Sequence, residues 1–148
     1  MTSLTWHERA FAELSVLELY EIVMLREQVF VVEQRCVYLD ADGHDPGCRH
    51  VFATDRLGAI VAYARLVPAG VTFGDACSIG RVIVAPAARG GQLGRALMQR
   101  AIAACGPVRI ALAAQAHLEP FYASLGFART GEPYDEDGIP HVDMLRTP

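Results

Sequence analysis

Hydrophobic residues repeat with two different periods in the first third of the chain. A short alternating run predicts a strand over Leu4–Arg9, and the capping box of Ser15 and Glu18 predicts the start of a helix. Apolar residues continue at helical spacing and end near Val29–Val32. We assign the buried face of this helix to Val16, Leu19, Tyr20, Val23 and Met24, and its solvated face to Glu18, Glu21 and Arg26.

Runs of β-branched and aromatic residues between turn formers predict a sheet. Asp55–Gly58 separates two such runs and places glycine at the tight position, which indicates a hairpin. Pro86 ends the run Val82–Val84, because proline cannot donate a hydrogen bond to a strand ladder. The strands after the first are predicted over His50–Thr54, Ala59–Val67, about Cys77 to Val84, Val108–Ala113, Phe127–Thr130 and His141–Arg146.

Two more helices are predicted in the second half. An apolar stripe indicates a helix over Leu93–Cys105, and Gly126 ends a shorter helix over His117–Leu125. The strands on either side of the first of these helices form a βαβ unit, for which we expect right-handed, parallel pairing. Glu33–Cys48 and Gly131–Pro140 show neither period and are predicted loops. This order of elements is typical of a mixed α/β (α+β) protein.

Composition and charge restrict the class of protein. The 148 residues are 52% apolar and 20% charged, which is typical of one globular domain over residues 1–148. A net charge of −4 argues against nucleic acid as a partner. No apolar run approaches the length of a membrane span, and the first residues do not have the pattern of a signal peptide. We therefore expect a cytoplasmic protein with no membrane partner, whose four cysteines are reduced thiols.

A glycine-rich turn joins the central strand to the next helix and reads Arg89-Gly-Gly-Gln-Leu-Gly-Arg95. The first turn of a helix has backbone N–H groups without intrahelical acceptors, and glycine lets an anion come close to them. A P-loop would need Lys and then Ser or Thr after Gly94, and a dinucleotide fingerprint would need glycine in place of Arg89. The turn therefore predicts a phosphate or pyrophosphate cradle; the alternative is a plain turn whose glycines allow tight packing.

Two motifs resemble the GNAT N-acetyltransferase superfamily. Arg89-x-x-Gln92-x-Gly94 is similar to its pyrophosphate motif, although the family usually has glycine in place of Gln92. Phe121–Phe127 resembles the helix and strand that follow the fifth strand of that family. Closer blocks are similar to the ElaA-like subgroup: Arg26 with Val29–Gln34, Ile79–Val82, Ala114–Leu118 and Glu136–His141. The resemblance implies a central, mixed and mostly antiparallel twisted sheet of six to seven strands, flanked by about four helices.

The resemblance also implies an activity, which is direct transfer of an acyl group from acyl-CoA, most simply acetyl-CoA, to a primary amine on a small molecule or peptide. It implies no metal and no covalent cysteine, Tyr122 as general acid, and a possible homodimer. The residues it implies for binding the co-substrate are Val82, Ile83, Val84, Arg89, Gly90, Gly91, Gln92, Leu93, Gly94, Arg95 and Gln115. The alternative function is a module that binds acyl-CoA as a sensor without turnover.

The general base and the acceptor site have several candidates. The base is sought among Glu33, His50, His117 and His141. We favour Glu33, because a carboxylate that closes an apolar helix can have a raised pKa; a surface Glu bonded to the helix end is the alternative. The three histidines are candidate substrate-binding residues or structural ones. Arg81 is expected to point towards the acceptor or to pair with a nearby acid.

The acidic loop has the composition of a metal site but not its spacing. Asp40, Asp42 and Asp45 place glycine too early for an EF-hand loop, and the Cys and His residues nearby match no paired zinc pattern. We interpret the loop as part of the substrate site, where its negative charge would favour a cationic amine acceptor.

Overall fold

One sheet of eight strands carries the other elements in residues 3–148, which the computed structural model describes. The strands are β1 (Thr5–Ala10), β2 (Arg49–Thr54), β3 (Ile60–Val67), β4 (Cys77–Val84), β5 (Ile110–Gln115), β6 (Ala128–Arg129), β7 (Tyr134–Glu136) and β8 (Ile139–Arg146). The α-helices are α1 (Val16–Arg26), α2 (Leu93–Cys105) and α3 (Glu119–Ala123). Short 3₁₀ turns cover Phe11–Glu13, Asp45–Gly47, Pro86–Ala88 and Ala116–Leu118.

The strand order is β1-β2-β3-β4-β5-β8-β6, with β7 paired to β8. All pairs are antiparallel except β4 with β5, so the predicted mixed and mostly antiparallel sheet is confirmed. The predicted parallel βαβ unit is also confirmed. The count differs from the sequence prediction, because β7 forms inside the predicted loop Gly131–Pro140 and three α-helices are present among the described residues. None of the helices in residues 3–148 has the length and apolar content needed to cross a membrane.

Helix α1 begins at the predicted capping box. The Ser15 side chain accepts from the Glu18 N–H at 3.0 Å, and the Glu18 carboxylate accepts from the Ser15 N–H at 2.9 Å. The helix continues as a π-helical segment over Glu27–Glu33, so its end agrees with the predicted region. The π-helical geometry changes which residues face the sheet in this last part.

The buried face of α1 differs from the sequence prediction. Val16 and Tyr20 are 89% and 65% exposed, whereas Ile22 and Arg26 are each 1% exposed. Arg26, which the pattern assigned to the solvated face, therefore lies in the interior. The reason lies in the loop after the helix, which supplies acidic partners that helical periodicity does not reveal.

Two apolar clusters lie on opposite faces of the sheet. The larger one joins the strands to α2 and α3, and includes Leu97, Ile110 and Tyr122. The smaller one lies under α1 and comprises Ile22, Leu25, Val29, Phe52, Tyr63 and Ile83. The sheet is thus covered on both faces, and alternate residues of β2 and β3 belong to different clusters.

The centre of the sheet is open along part of its length. Strands β4 and β5 pair only at Cys77 with Ile110 and at Ser78 with Ala111, and then diverge. Strand β4 also contains a bulge, where Arg81 and Val82 together oppose a single residue of β3 and Arg81 has a φ of 51°. From Gly80 onward, the edge of β4 that faces β5 therefore has no strand partner.

Six buried or half-buried charges fasten the loop after α1 to the sheet. We call them the arginine–aspartate cluster; its members are Arg26, Arg65, Arg81, Asp40, Asp42 and Asp45. Arg26 contacts Asp40 and Asp45, each at 2.7 Å. Arg65 contacts Asp42 at 2.8 Å and Asp45 at 3.1 Å. Arg81 contacts Asp40 at 2.8 Å and Asp42 at 3.4 Å, so each carboxylate has two cationic partners.

Arg26→Met is expected to lower the free energy of unfolding by about 3 kcal/mol, because Asp40 and Asp45 would stay buried after losing a cation. Urea unfolding followed by circular dichroism measures the change. Arg49→Met is the matched control, since Arg49 pairs with Glu8 at the exposed surface; its effect should stay below about 1 kcal/mol. Equal losses in the two variants would contradict the structural role of the cluster.

Acid is expected to destabilise the protein as the pH falls below about 4. Burial alone would raise the pKa of Asp45, but the hydrogen bonds and charges of Arg26 and Arg65 lower it below its ordinary value. The unfolded chain then binds protons first as the pH falls, so the free energy of unfolding decreases towards the folded pKa. Urea midpoints between pH 7 and pH 3 measure this slope. Asp45→Asn should flatten it, while Asp75→Asn, at an exposed ion pair, should leave it unchanged.

Candidate active site

A cavity of about 690 Å³ occupies the gap between β4 and β5. On the side of α2 and α3 its lining includes Val82, Val84 and Tyr122, and on the side of α1 it includes Tyr38 and His141. Because residues from both faces line one cavity, two molecules could approach each other through the sheet. Eight of the site residues predicted from the sequence line it, namely Arg81, Val82, Ile83, Val84, Arg89, Gln115, Tyr122 and His141.

The start of α2 provides free backbone donors next to this cavity. Gln92 is the N-cap residue of α2 and makes no side-chain capping bond, so the first N–H groups of the helix are not satisfied by a cap. Gly90 has a φ of 91° and Gln92 a φ of 64°, both in the left-handed region. The six residues Gly90, Gly91, Gln92, Leu93, Gly94 and Arg95 thus form the loop and first turn that the motif predicted. Such a helix start favours an anionic ligand.

Gly94 and Arg95 set how closely this turn approaches its neighbours. A Cβ on Gly94 would lie 3.7 Å from a methyl carbon of Val84 and 4.0 Å from the Phe121 ring. Arg95 donates to the Ser124 hydroxyl at 2.8 Å and lies over the Phe121 ring. The turn is therefore packed against the end of β4 and against α3, which fixes the direction of its amides.

Arg89 and Glu33 form an ion pair at the rim of the cavity. The Arg89 guanidinium donates to both Glu33 oxygens, at 2.7 and 2.8 Å, and to the Val84 carbonyl at 3.0 Å. These bonds lower the pKa of Glu33 below its ordinary value. The predicted raised pKa is therefore wrong, because the carboxylate is 44% exposed and faces a guanidinium instead of apolar side chains. Glu33 also does not line the cavity, and its pairing with Arg89 removes the reason for favouring it as general base.

Tyr122 lies at the cavity wall on the side of α3. It is 7% exposed, and its ring makes edge contacts with Phe121 and Phe127. Burial raises the pKa of Tyr122 to about 12. The hydroxyl therefore stays protonated near neutral pH and can donate a hydrogen bond or a proton to a group in the cavity.

Two of the three candidate histidines lie away from the cavity. His50 is 1% exposed and bonds to the Tyr63 hydroxyl at 2.7 Å and to the Asp45 carbonyl at 3.1 Å. Burial lowers the pKa of His50, so it is a neutral structural residue beneath the arginine–aspartate cluster. His117 is exposed in the 3₁₀ turn before α3. The contacts of His50 therefore favour its structural alternative, and His117 lies outside the cavity lining.

His141 and Arg81 remain as cavity residues on the side of α1. His141 on β8 pairs across the strands with Gln115 on β5, whose amide lies 3.5 Å from that of Gln34. Arg81 pairs with Asp40, which is one of its two predicted roles, and it also lines the cavity.

The acidic loop does not present the free negative charge that its composition suggested. Its three aspartates are balanced by three arginines from α1, β3 and β4, and Tyr38 donates to Asp40 at 2.8 Å. The negative charge on which the prediction of a cationic acceptor depends is therefore balanced by partners that are distant in the sequence. The loop instead forms a rigid wall of the cavity.

The sequence analysis missed two cavity residues on β7, Tyr134 and Glu136. A signal for them was present: Asp137-Gly138 is a preferred pair for a two-residue hairpin. Asp137 and Gly138 have positive φ, 52° and 80°, and join β7 to β8. The hairpin places Tyr134 directly opposite His141.

Comparison with known proteins gives the family. A family model described as an acetyltransferase (GNAT) domain matches residues 31–147. The chain belongs to the GNAT acetyltransferase family. It is 43% identical over 147 residues to protein ElaA of Escherichia coli strain K12, with 95% of each chain covered. The predicted resemblance to ElaA-like proteins is therefore confirmed.

Solved structures extend this GNAT relationship to the whole fold. An acyl-CoA N-acyltransferase from Pseudomonas aeruginosa matches with a TM-score of 0.93 at 42% identity, covering 98% of this chain and 100% of that one. The crystal structure of Escherichia coli ElaA matches with a TM-score of 0.90 at 41% identity, covering 97% and 99%. The open sheet and its cavity thus belong to a GNAT fold.

The GNAT motif with glutamine in place of glycine yields a stability prediction. At Gln92, whose φ is 64°, Gln92→Gly removes a Cβ from a left-handed position. The loss of this steric strain should offset the greater entropy of glycine in the unfolded chain, so the free energy of unfolding should change by less than about 1 kcal/mol. Gln99→Gly, the same substitution at an exposed position inside α2, should cost about 0.5–1 kcal/mol. Urea unfolding compares them, and a larger loss at Gln92 would contradict the observed conformation.

Proposed function

We propose that the protein is an acyl-CoA-dependent N-acyltransferase, which transfers an acetyl group to a primary amine on a small molecule or a peptide. The observation that supports this most directly is the unpaired edge of β4, which lies beside the first turn of α2 and borders the cavity that Tyr122 lines. Membership of the GNAT family supports the same reaction class.

The described residues fit an acyl-CoA co-substrate, which supplies an activated acyl group as a thioester. The backbone groups of Val82 and the N–H of Val84 are available to an extended amide chain, as an added strand would use them, while the Val84 carbonyl already accepts from Arg89. The amides at the start of α2, with Arg89 and Arg95, suit a pyrophosphate. Gln115, at the end of β5, faces the same gap from the other side and can bond to the amide chain.

Arg89 can bind the pyrophosphate only if its hydrogen bonds to Glu33 break or are shared with the pyrophosphate. Both side chains are 44% exposed, so their ion pair has little net free energy and can be exchanged for a more highly charged anion. Glu33 then acts on co-substrate affinity and not on proton transfer.

Catalysis on this arrangement consists mainly of positioning and one proton donor. The cavity holds the amine and the thioester on opposite faces of the sheet, so that they meet in the gap between β4 and β5. Tyr122 donates its proton to the sulfur as the thioester breaks, and its raised pKa keeps that proton in place beforehand.

Calorimetric CoA binding and acetyl-CoA turnover test the proposal. Arg89→Glu should weaken CoA binding at least tenfold, because it places a second carboxylate beside Glu33 at the pyrophosphate site. Arg100→Glu, the same charge change at an exposed position of α2 that contacts Trp6, should stay within about twofold. Turnover is followed as free-thiol release with a panel of primary amines. Tyr122→Phe should lower kcat roughly 10²–10⁴-fold with CoA affinity nearly unchanged.

Each outcome of this experiment separates the two functions considered. CoA binding that depends on Arg89, with turnover of an amine, supports the enzyme. Binding without turnover of any amine would favour a sensor of acyl-CoA. The absence of CoA binding would overturn the proposed function altogether.

A further inference from the structure

The imidazole of His141 is held in a defined tautomer at the cavity wall. Its Nδ1 atom lies 2.8 Å from the carbonyl oxygen of Ile139. Because a carbonyl oxygen only accepts hydrogen bonds, Nδ1 must carry the hydrogen. In the neutral ring, Nε2 therefore has a free lone pair, which is the arrangement that a proton acceptor requires.

A carboxylate lies next to that lone pair. The Nε2 atom of His141 is 3.8 Å from the nearer carboxylate oxygen of Glu136, too far for a hydrogen bond but close enough for a charge interaction. A proton on Nε2 would strengthen this contact, because the imidazole would then be a cation beside a carboxylate. Glu136 thus stabilises the imidazolium that proton transfer would create.

The Tyr134 ring lies alongside the His141 ring, with the ring centroids 6.1 Å apart. The two rings stack with an interplanar angle of 24°, and the Tyr134 hydroxyl donates to Asp143 at 2.6 Å. Burial, followed by the contact with Asp143, raises the pKa of Tyr134, so the phenol stays neutral. His141 itself is 13% exposed, and therefore its tautomer, orientation and solvent access are all restricted.

The position of His141 in the sheet places it opposite Tyr122. Val142 and Met144 belong to the same core cluster as Tyr122, so alternation along β8 directs His141 to the other face. The cavity contacts both residues through the gap between β4 and β5. His141 also pairs across the strands with Gln115, which ends β5 at that gap.

We propose that His141 is the general base of this enzyme and that Glu136 is its positioning residue. The proposal rests on the acyl-transfer function proposed above. Of the four base candidates from the sequence, Glu33, His50, His117 and His141, only His141 lines the cavity among residues 3–148. It combines that position with a free ring nitrogen and a carboxylate partner.

The proton balance assigns one step to each face of the sheet. His141 Nε2 takes one proton from the acceptor ammonium and later releases it to solvent. The amine nitrogen bonds to the acyl carbon, and the carbon–sulfur bond breaks as Tyr122 gives its proton to sulfur. The remaining extra proton on nitrogen returns to Tyr122. The net products are an amide, a free thiol and one proton.

The groups that face His141 from the neighbouring elements define what a pH profile reports. β7 contributes Glu136 and Tyr134, β8 contributes Asp143, and β5 contributes only the neutral Gln115 opposite it. The loop after α1 brings Cys36, Tyr38 and Asp42 to the same cavity, and β3 and β4 bring Arg65 and Arg81.

His141→Gln should lower kcat roughly 10²–10⁴-fold near neutral pH, with CoA affinity and the acceptor KM changed by less than about threefold. The acidic limb of the wild-type kcat/KM profile should disappear, and the deficit should shrink at high pH, where more of the amine is already unprotonated. His117→Gln is the matched control and should stay within about twofold. Turnover by His141→Gln equal to wild type would overturn the proposal.

Glu136→Gln separates a positioning role from acceptor binding. We expect kcat to fall on the order of tenfold with KM unchanged, because Ile139 still fixes the tautomer after the carboxylate is lost. A rise in acceptor KM with kcat unchanged would overturn this role and assign Glu136 to binding of the ammonium.

A measurement without substrate tests the geometry itself. Long-range ¹H–¹⁵N spectra of the imidazoles should show the neutral ring of His141 with its hydrogen on Nδ1, in wild type and in Glu136→Gln. A hydrogen on Nε2 would overturn the proposal even if the wild type turned over. If the wild type bound CoA without turnover, the acyl-transfer function would fail while this spectrum still decided the state of His141.

Discussion

The arginine–aspartate cluster is the interaction on which the shape of the site depends. Arg26 and Asp45 lie in the interior, where charges are costly unless every one is paired. Each arginine comes from a different element, α1, β3 or β4, while all three acids come from one loop. The pairing therefore gives each carboxylate two arginine partners and holds the loop as a wall above the open sheet. A set of apolar contacts would bury the same loop without specifying its position so narrowly.

The opening of the sheet is the second constraint, and it follows from a short parallel pairing. β4 and β5 share only two residue pairs, yet β5 keeps its full pairing with β8. Beyond these two pairs, β4 therefore has no hydrogen-bonded strand on the side of β5, whereas β5 remains paired with β8 on its other side. A ligand that supplies the missing hydrogen bonds stabilises the open form. The sheet thus has unpaired backbone groups at its centre, and not only at its outer edges.

Patterns among residues that are close together in the sequence predicted much of the fold and part of the site. Ser15 and Glu18 predicted the start of α1, and the turn at Arg89 predicted a helix start with free amides, because each feature depends on residues a few positions apart. The burial of Arg26 could not be predicted in this way, since its partners Asp40 and Asp45 lie 14 and 19 residues away. Nor could the pairing of Glu33 with Arg89, across 56 residues. Hydrophobic context suggested a raised pKa for Glu33, and a distant guanidinium reversed its direction.

The bulge at Arg81 divides β4 into two halves that are out of phase. Before it, Ile79 packs with the cluster under α2, and strict alternation would send Ile83 to that same side. Ile83 instead packs under α1, while Val82 packs towards α2. Both halves of β4 nevertheless keep the faces of their β3 partners, since Gly80 pairs with Arg65 and Ile83 pairs with Tyr63. Loss of Arg81 would close the bulge and leave Val82 and Ile83 on their present faces, so the additional residue serves the position of the Arg81 side chain and not the faces of the strand.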